Sequence, residues 1–126
     1  MILETTFLVD LLRGNQKAMK KLQELQDLKT PLFIATPSIF ELWSGIIHSK
    51  KSDQENKKIL DVIDGQFILD LTKEASINAG KIDGQLVLEG ETIEPEDSMI
   101  AGIAITNHEA VLTRNTEHFG RVPGLT

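Results

Sequence analysis

Cysteine is missing altogether from these 126 residues, which excludes disulfides, thiolate metal sites and cysteine nucleophiles. The absence fits a reducing compartment, and a cytoplasmic protein is expected. Excess basic charge is missing too: 13 lysines and arginines stand against 19 aspartates and glutamates, for a net charge of −6. Phosphate affinity comes mostly from lysine and arginine, which argues against a general nucleic-acid coat. Long apolar runs are lacking, so no membrane span is expected. No basic region precedes an apolar one at the start, and no secretory leader is expected. Repeats, low-complexity tracts and linkers are also lacking. What remains is 40% hydrophobic content. It suffices for a single domain over residues 1–126 that buries about two-thirds of its unfolded surface. The acidic excess suits carboxylates clustered to collect divalent cations.

Taken in order, Met1–Thr5 reads as a first, buried parallel strand. A short apolar helix over Phe7–Leu12 follows, closed by Gly14. Asn15 caps a second helix striped by Ala18, Leu22 and Leu25. Leu32–Ala35 is a second strand. Thr36 and Pro37 supply a cap and a first-turn proline for a helix running to about Ser49. Apolar residues cover most of that helix, with Glu41 set among them. Polar Ser49–Asn56 reads as a connection into a short helix bearing Ile59, Leu60 and Ile63. Gln66–Leu69 is a third strand. Thr72 then caps a helix whose inner face is Ala75, Ala79, Ile82 and Leu86, with Gly90 as its stop. Arg121–Leu125 reads as an edge strand or a loop. Strands alternating with helices imply an α/β fold with a parallel sheet.

The most informative stretch is Ile93–Phe119, IEPEDSMIAGIAITNHEAVLTRNTEHF. Pro95 fits the first turn of a helix, and Glu96 and Asp97 meet the positive end of its dipole. MIAGIAI is apolar on nearly every face, so this helix should be wedged inside the protein and stop near Asn107-His108. Ala110–Thr113 is a fourth strand, ending in Thr113-Arg114-Asn115-Thr116. A parallel sheet delivers the carboxyl ends of its strands to one edge, where open α/β sheets bind ligands. Glu4, Glu41, Asp97, Asn115 and Glu117 could therefore converge there. Oxygen ligands without histidine or cysteine suit magnesium or manganese, and the reaction they suit is phosphodiester hydrolysis.

Four blocks, ILETTFLVDLLRG, TPSIFELWSGI, IEPEDSMIAGIAI and VLTRNTEHFGRVPGL, in this order and spacing, resemble the PIN-domain ribonucleases. Within that family they are most similar to VapC-type toxins of prokaryotic toxin–antitoxin pairs. The resemblance implies a three-layer fold with a central parallel sheet of four to five strands flanked by helices. It implies a Mg2+- or Mn2+-dependent endoribonuclease acting on RNA, neutralised by a cognate antitoxin and paired as a homodimer. By resemblance, the metal ligands fall on Glu4, Glu41, Asp97 and Asn115. The hydroxyl that helps the first acid falls on Thr6, and Thr113 lines the same edge.

Glu4 departs from the family's usual aspartate, and the extra methylene moves its carboxylate by about 1.5 Å. Displacements near 1 Å in a reacting site can cost about 100-fold in rate, so an attenuated nuclease is expected. The alternative is a weak or inactive module that still binds antitoxin or RNA. A receiver-like signalling domain is disfavoured, because Thr113-Arg114-Asn115 stands where that fold needs a lysine. His48, His108 and His118 share no metal-ligand spacing and are set aside. Glu117 and Asp10 read as helix-surface or structural acids. Trp43 and Phe40 read as core or dimer contacts, and Arg13 and Arg114 as surface arginines able to meet phosphate.

Overall fold

The structure is a computed structural model that describes residues 1–48 and 52–125. Its elements are β1 (Ile2–Leu3), α1 (Thr5–Leu12), α2 (Gln16–Asp27), β2 (Phe33–Ala35), α3 (Thr36–Ile46), α4 (Ser52–Asp64), β3 (Phe67–Leu69), α5 (Lys73–Leu88), α6 (Pro95–Thr106), β4 (Val111–Leu112) and α7 (Thr116–Gly120). The strands form one parallel sheet in the order β3-β2-β1-β4. The chain thus builds outward from β1 to β3 and then returns to the other side of β1. That reversal places a switch point between β1 and β4, where the carboxyl ends of the strands leave a crevice.

Alternation along the strands divides the core into two. Ile2 and Ala35 face a cluster with Ala75, Leu86, Ile100, Ile103 and Phe119 of α5, α6 and α7. Leu3 and Ile34 face the other side, with Leu8, Leu25, Leu42 and Ile59 of α1 to α4. This is the expected three-layer arrangement. Seven of the twelve residues of α6 are buried, so it is the wedged helix that its apolar composition implied. Gly102 makes this possible: a Cβ there would stand 2.6 Å from the Ala75 carbonyl oxygen and 2.7 Å from the Ala79 side chain. Asn15 and Thr72 cap α2 and α5 through their side chains, as their positions predicted.

Three expectations need correction. Thr36 is the first residue of α3, not its cap; its hydroxyl instead accepts the Leu71 N–H at 3.0 Å, tying α3 to the end of β3. That helix ends at Ile46, short of Ser49, which lies outside the described residues. α4 begins earlier than the polar reading of Ser49–Asn56 implied, because lysine and glutamine are good helix formers and polarity alone breaks no helix. Residues 49–51 of that expected connection are also outside the described residues. Of the two readings of Arg121–Leu125, edge strand or loop, the loop is the one observed: the segment turns back on itself after α7, the sheet has four strands among the described residues, and Val122 is buried in the cluster that includes α6. No helix among the described residues is long and apolar enough to cross a membrane.

Candidate active site

Glu4 follows β1 directly and caps α1. Its backbone N–H donates to the Leu112 carbonyl at 3.0 Å, so the last ladder bond fixes it beside the end of β4. The side chain is 2% exposed. Its Oε2 accepts from the Thr6 N–H at 2.8 Å, the Thr6 hydroxyl at 2.6 Å and the Thr113 hydroxyl at 2.9 Å. Glutamate is not a favoured cap, yet its longer arm curls back far enough to act as one. Three donors on one oxygen compensate a carboxylate buried at the sheet edge.

Glu41 arrives from the second turn of α3. Its Oε1 accepts from the Thr5 hydroxyl at 2.8 Å, and the same hydroxyl lies 2.8 Å from that of buried Ser38. A hydroxyl has one proton, so Ser38 donates to Thr5 while Thr5 donates to Glu41. Burial pushes the Glu41 carboxyl up from its ordinary 4.5 to about 6. The Thr5 hydrogen bond works against this shift, and the negative charges of Asp97, Glu4 and Glu96 reinforce it.

Asp97 comes from the first turn of α6 and is 5% exposed. Its Oδ2 lies 2.8 Å from His118 Nδ1 and 3.4 Å from the amide nitrogen of Asn115. Asn115 turns its oxygen towards α7, whose N-terminus it caps. The side chain expected to supply an oxygen ligand thus presents a donor to Asp97 instead. Each of the three acids therefore has one oxygen held by protein donors, while the other has no hydrogen-bond partner among the described residues.

All three acids line one open cavity of about 630 Å³, together with Glu94, Glu96, Asn115, Arg13, Arg114 and Phe40. Residues from remote parts of the chain thus share one cleft at the switch point, as the strand arithmetic predicted. As they stand, no three acidic or histidine side chains among the described residues group closely enough to hold an ion directly. Magnesium usually takes only one or two carboxylates and keeps several waters. The donor set therefore fits: hard oxygens and a surplus of negative charge.

The remaining sequence candidates sort themselves by position. Arg114 pairs with Asp10 at 3.2 Å, at the rim of the cavity. Glu117 is exposed and pairs with Arg121 along α7, away from the acids. Phe40 is 63% exposed at the cavity mouth and is not core, whereas Trp43 packs on the second cluster. The residues that sequence reasoning passed over are Thr5, Ser38 and above all His118. Metal-ligand spacing was the wrong signal for His118, whose Nδ1 lies 2.8 Å from Asp97 Oδ2. The useful signal was its position three residues after Asn115, on the turn that follows β4.

The PIN domain profile matches residues 1–125. This chain belongs to the PIN-domain family. Among similar PIN proteins is a tRNA(fMet)-specific endonuclease VapC of Salmonella typhimurium, 30% identical over 92 residues, which span 73% of this chain and 70% of that protein. Ribonuclease VapC2 of Rickettsia felis is 28% identical over 102 residues, 81% of this chain and 76% of the relative. In three dimensions, the chain superposes with a TM-score of 0.89 and 25% identity on the crystal structure of VapBC2 from Rickettsia felis bound to a promoter DNA fragment. That match covers 98% of this chain and 93% of the other.

Proposed function

We propose that this PIN domain is a divalent-metal-dependent endoribonuclease, the toxin of a VapBC-type toxin–antitoxin pair, acting in the cytoplasm. The observation that carries the reading is the convergence of Glu4, Glu41 and Asp97 on one cavity at the end of β1 and β4. VapC relatives named as ribonucleases, and a VapBC complex of the same fold, support the substrate class and the antitoxin partner. Pairing of two copies would be read from the mass in solution.

The three acids would hold a Mg2+ or Mn2+ ion through the oxygens that face the cavity, with Asn115 and Thr6 steadying Asp97 and Glu4. When bound, such an ion stabilises charge on a phosphoryl oxygen and acidifies a neighbouring water. The protein's own share is orientation. Thr6 and Thr113 clamp Glu4, Thr5 clamps Glu41, and Arg13 and Arg114 at the rim would offer donors to substrate phosphates. Those arginines also offset the repulsion between acidic walls and an anionic substrate.

The test is a mixed RNA pool incubated with Mn2+ or with chelator, beside a Glu41→Gln control. Cleavage by the wild type with Mn2+, absent with chelator and absent in the control, is expected. Equal cleavage by both proteins would mean a contaminating nuclease. None by either would favour a PIN module that binds antitoxin or RNA without cutting, a reading to which the glutamate at position 4 lends weight.

A further inference from the structure

We infer that His118 is the positioning residue of the site: its Nδ1–H fixes the rotamer of Asp97 and so aims the carboxylate at the ion. This rests on the metal-dependent reading given above. A carboxylate accepts hydrogen bonds only, so at 2.8 Å from Asp97 Oδ2 it is His118 Nδ1 that carries the hydrogen. The Asn115 amide nitrogen lies 3.0 Å from that same Nδ1. Since the Nδ1 hydrogen goes to Asp97, that contact is not a hydrogen bond. Both groups instead bring donors to one carboxylate oxygen, leaving Oδ1 for the cavity.

Placement separates this role from direct catalysis. Asp97 and Asn115 line the cavity, and His118 does not. The imidazole stands behind the acid on α7 with its side chain 28% exposed. The arrangement is a carboxylate–histidine pair of the kind that orients metal ligands, with the histidine on the outer side. The other two acids are also held by protein donors: Glu4 by Thr6 of the helix it caps and by Thr113 just past β4, and Glu41 by Thr5 of α1. The donors to the Asp97 side chain among the described residues come from Asn115 and His118, and none from its own helix α6, so its carboxylate is steadied from another element. α7 supplies that.

The decisive comparison is between two amides. Asparagine places its nitrogen the same number of bonds from the backbone as imidazole Nδ1, while glutamine pushes it one methylene further. Mn2+ binding to the full chain, with no RNA present, is measured by the loss of the free-ion electron paramagnetic resonance signal for wild type, His118→Asn, His118→Gln and His118→Phe. Thermal unfolding of each metal-free protein runs alongside to confirm folding. Loss of a second-sphere partner typically costs about 10- to 100-fold in metal affinity, so His118→Phe and His118→Gln should bind about 10-fold more weakly. His118→Asn should stay within about threefold of wild type. Wild-type affinity in His118→Gln or His118→Phe would overturn the inference. Equal weakening in the two amides would do so as well, because the placed donor would then be irrelevant. Binding by the wild type with no effect of these substitutions would sink the inference alone, whereas no Mn2+ binding by the wild type would remove the metal reading and the inference together.

Discussion

At position 4 an added methylene is absorbed by folding the carboxylate back onto its own helix. Oε2 of Glu4 takes three hydrogen bonds, so the side chain is rigid where it stands, and rigidity makes a misplacement costly. Glu4→Asp is therefore expected to raise metal-dependent RNA cleavage, by up to about 100-fold if the whole displacement is recovered; steady-state cleavage rates check this, and an unchanged rate would end the idea of attenuation. Glu41 makes a second prediction at this scale. Its folded pKa of about 6 lies above the ordinary 4.5, so the folded, metal-free protein binds this proton more tightly than the unfolded chain. The stabilisation that proton gives is fully present below pH 4.5 and is lost as pH rises through about 6. In Glu41→Gln, denaturant unfolding of the metal-free protein should show that this part of the pH dependence has gone.

Among the elements, the pairing of α5 with α6 is the least forgiving. Alanine is favoured over glycine inside a helix by about 1 kcal/mol, but at position 102 the added Cβ would meet backbone atoms of α5 at 2.6–2.7 Å. Backbone cannot swing aside as a side-chain tip can, and overpacking costs typically about 1–3 kcal/mol. Gly102→Ala should thus destabilise despite the better propensity, measured as a lower midpoint in urea. Because α6 carries Asp97, the same change should also weaken Mn2+ binding. Helix α2 lies far from the acids and offers the contrast. Asn15→Ala removes a cap worth about 1 kcal/mol and should lower stability while leaving metal affinity and cleavage alone. The caps at Asn15 and Thr72 were legible because a short polar side chain before a periodic run acts within its own turn. Thr36 misled for the same local reason: its hydroxyl had a partner 35 residues away, the Leu71 N–H.

The whole molecule gathers negative charge at one end of its sheet. Glu4, Glu41, Glu94, Glu96 and Asp97 all border one cavity, and their repulsion is borne by the fold. A bound ion stabilises the folded state by mass action, about 2.7 kcal/mol when its free concentration is ~100 times the dissociation constant. Thermal unfolding should accordingly shift upward with Mn2+. The shift should be larger at about pH 7.5 than at about pH 5, where Glu41 holds its proton and competes with the ion. A chelator should reverse it.

The sequence by itself determined the kind of fold, the order of elements, the caps at Asn15 and Thr72 and the acids at the strand ends, because periodicity, turn chemistry and strand-end position are properties of short stretches of chain. It also carried the family, spread over four blocks that keep their spacing. Tertiary structure alone decided which oxygen of each acid is held by protein donors and which has no partner among the described residues. It turned the Asn115 amide towards Asp97, set Ser38 behind Thr5, and brought His118 to within 2.8 Å of a carboxylate 21 residues away. Those outcomes depend on how α6 and α7 pack across the end of the sheet, and a hydrogen bond between remote segments leaves no periodic trace in either one.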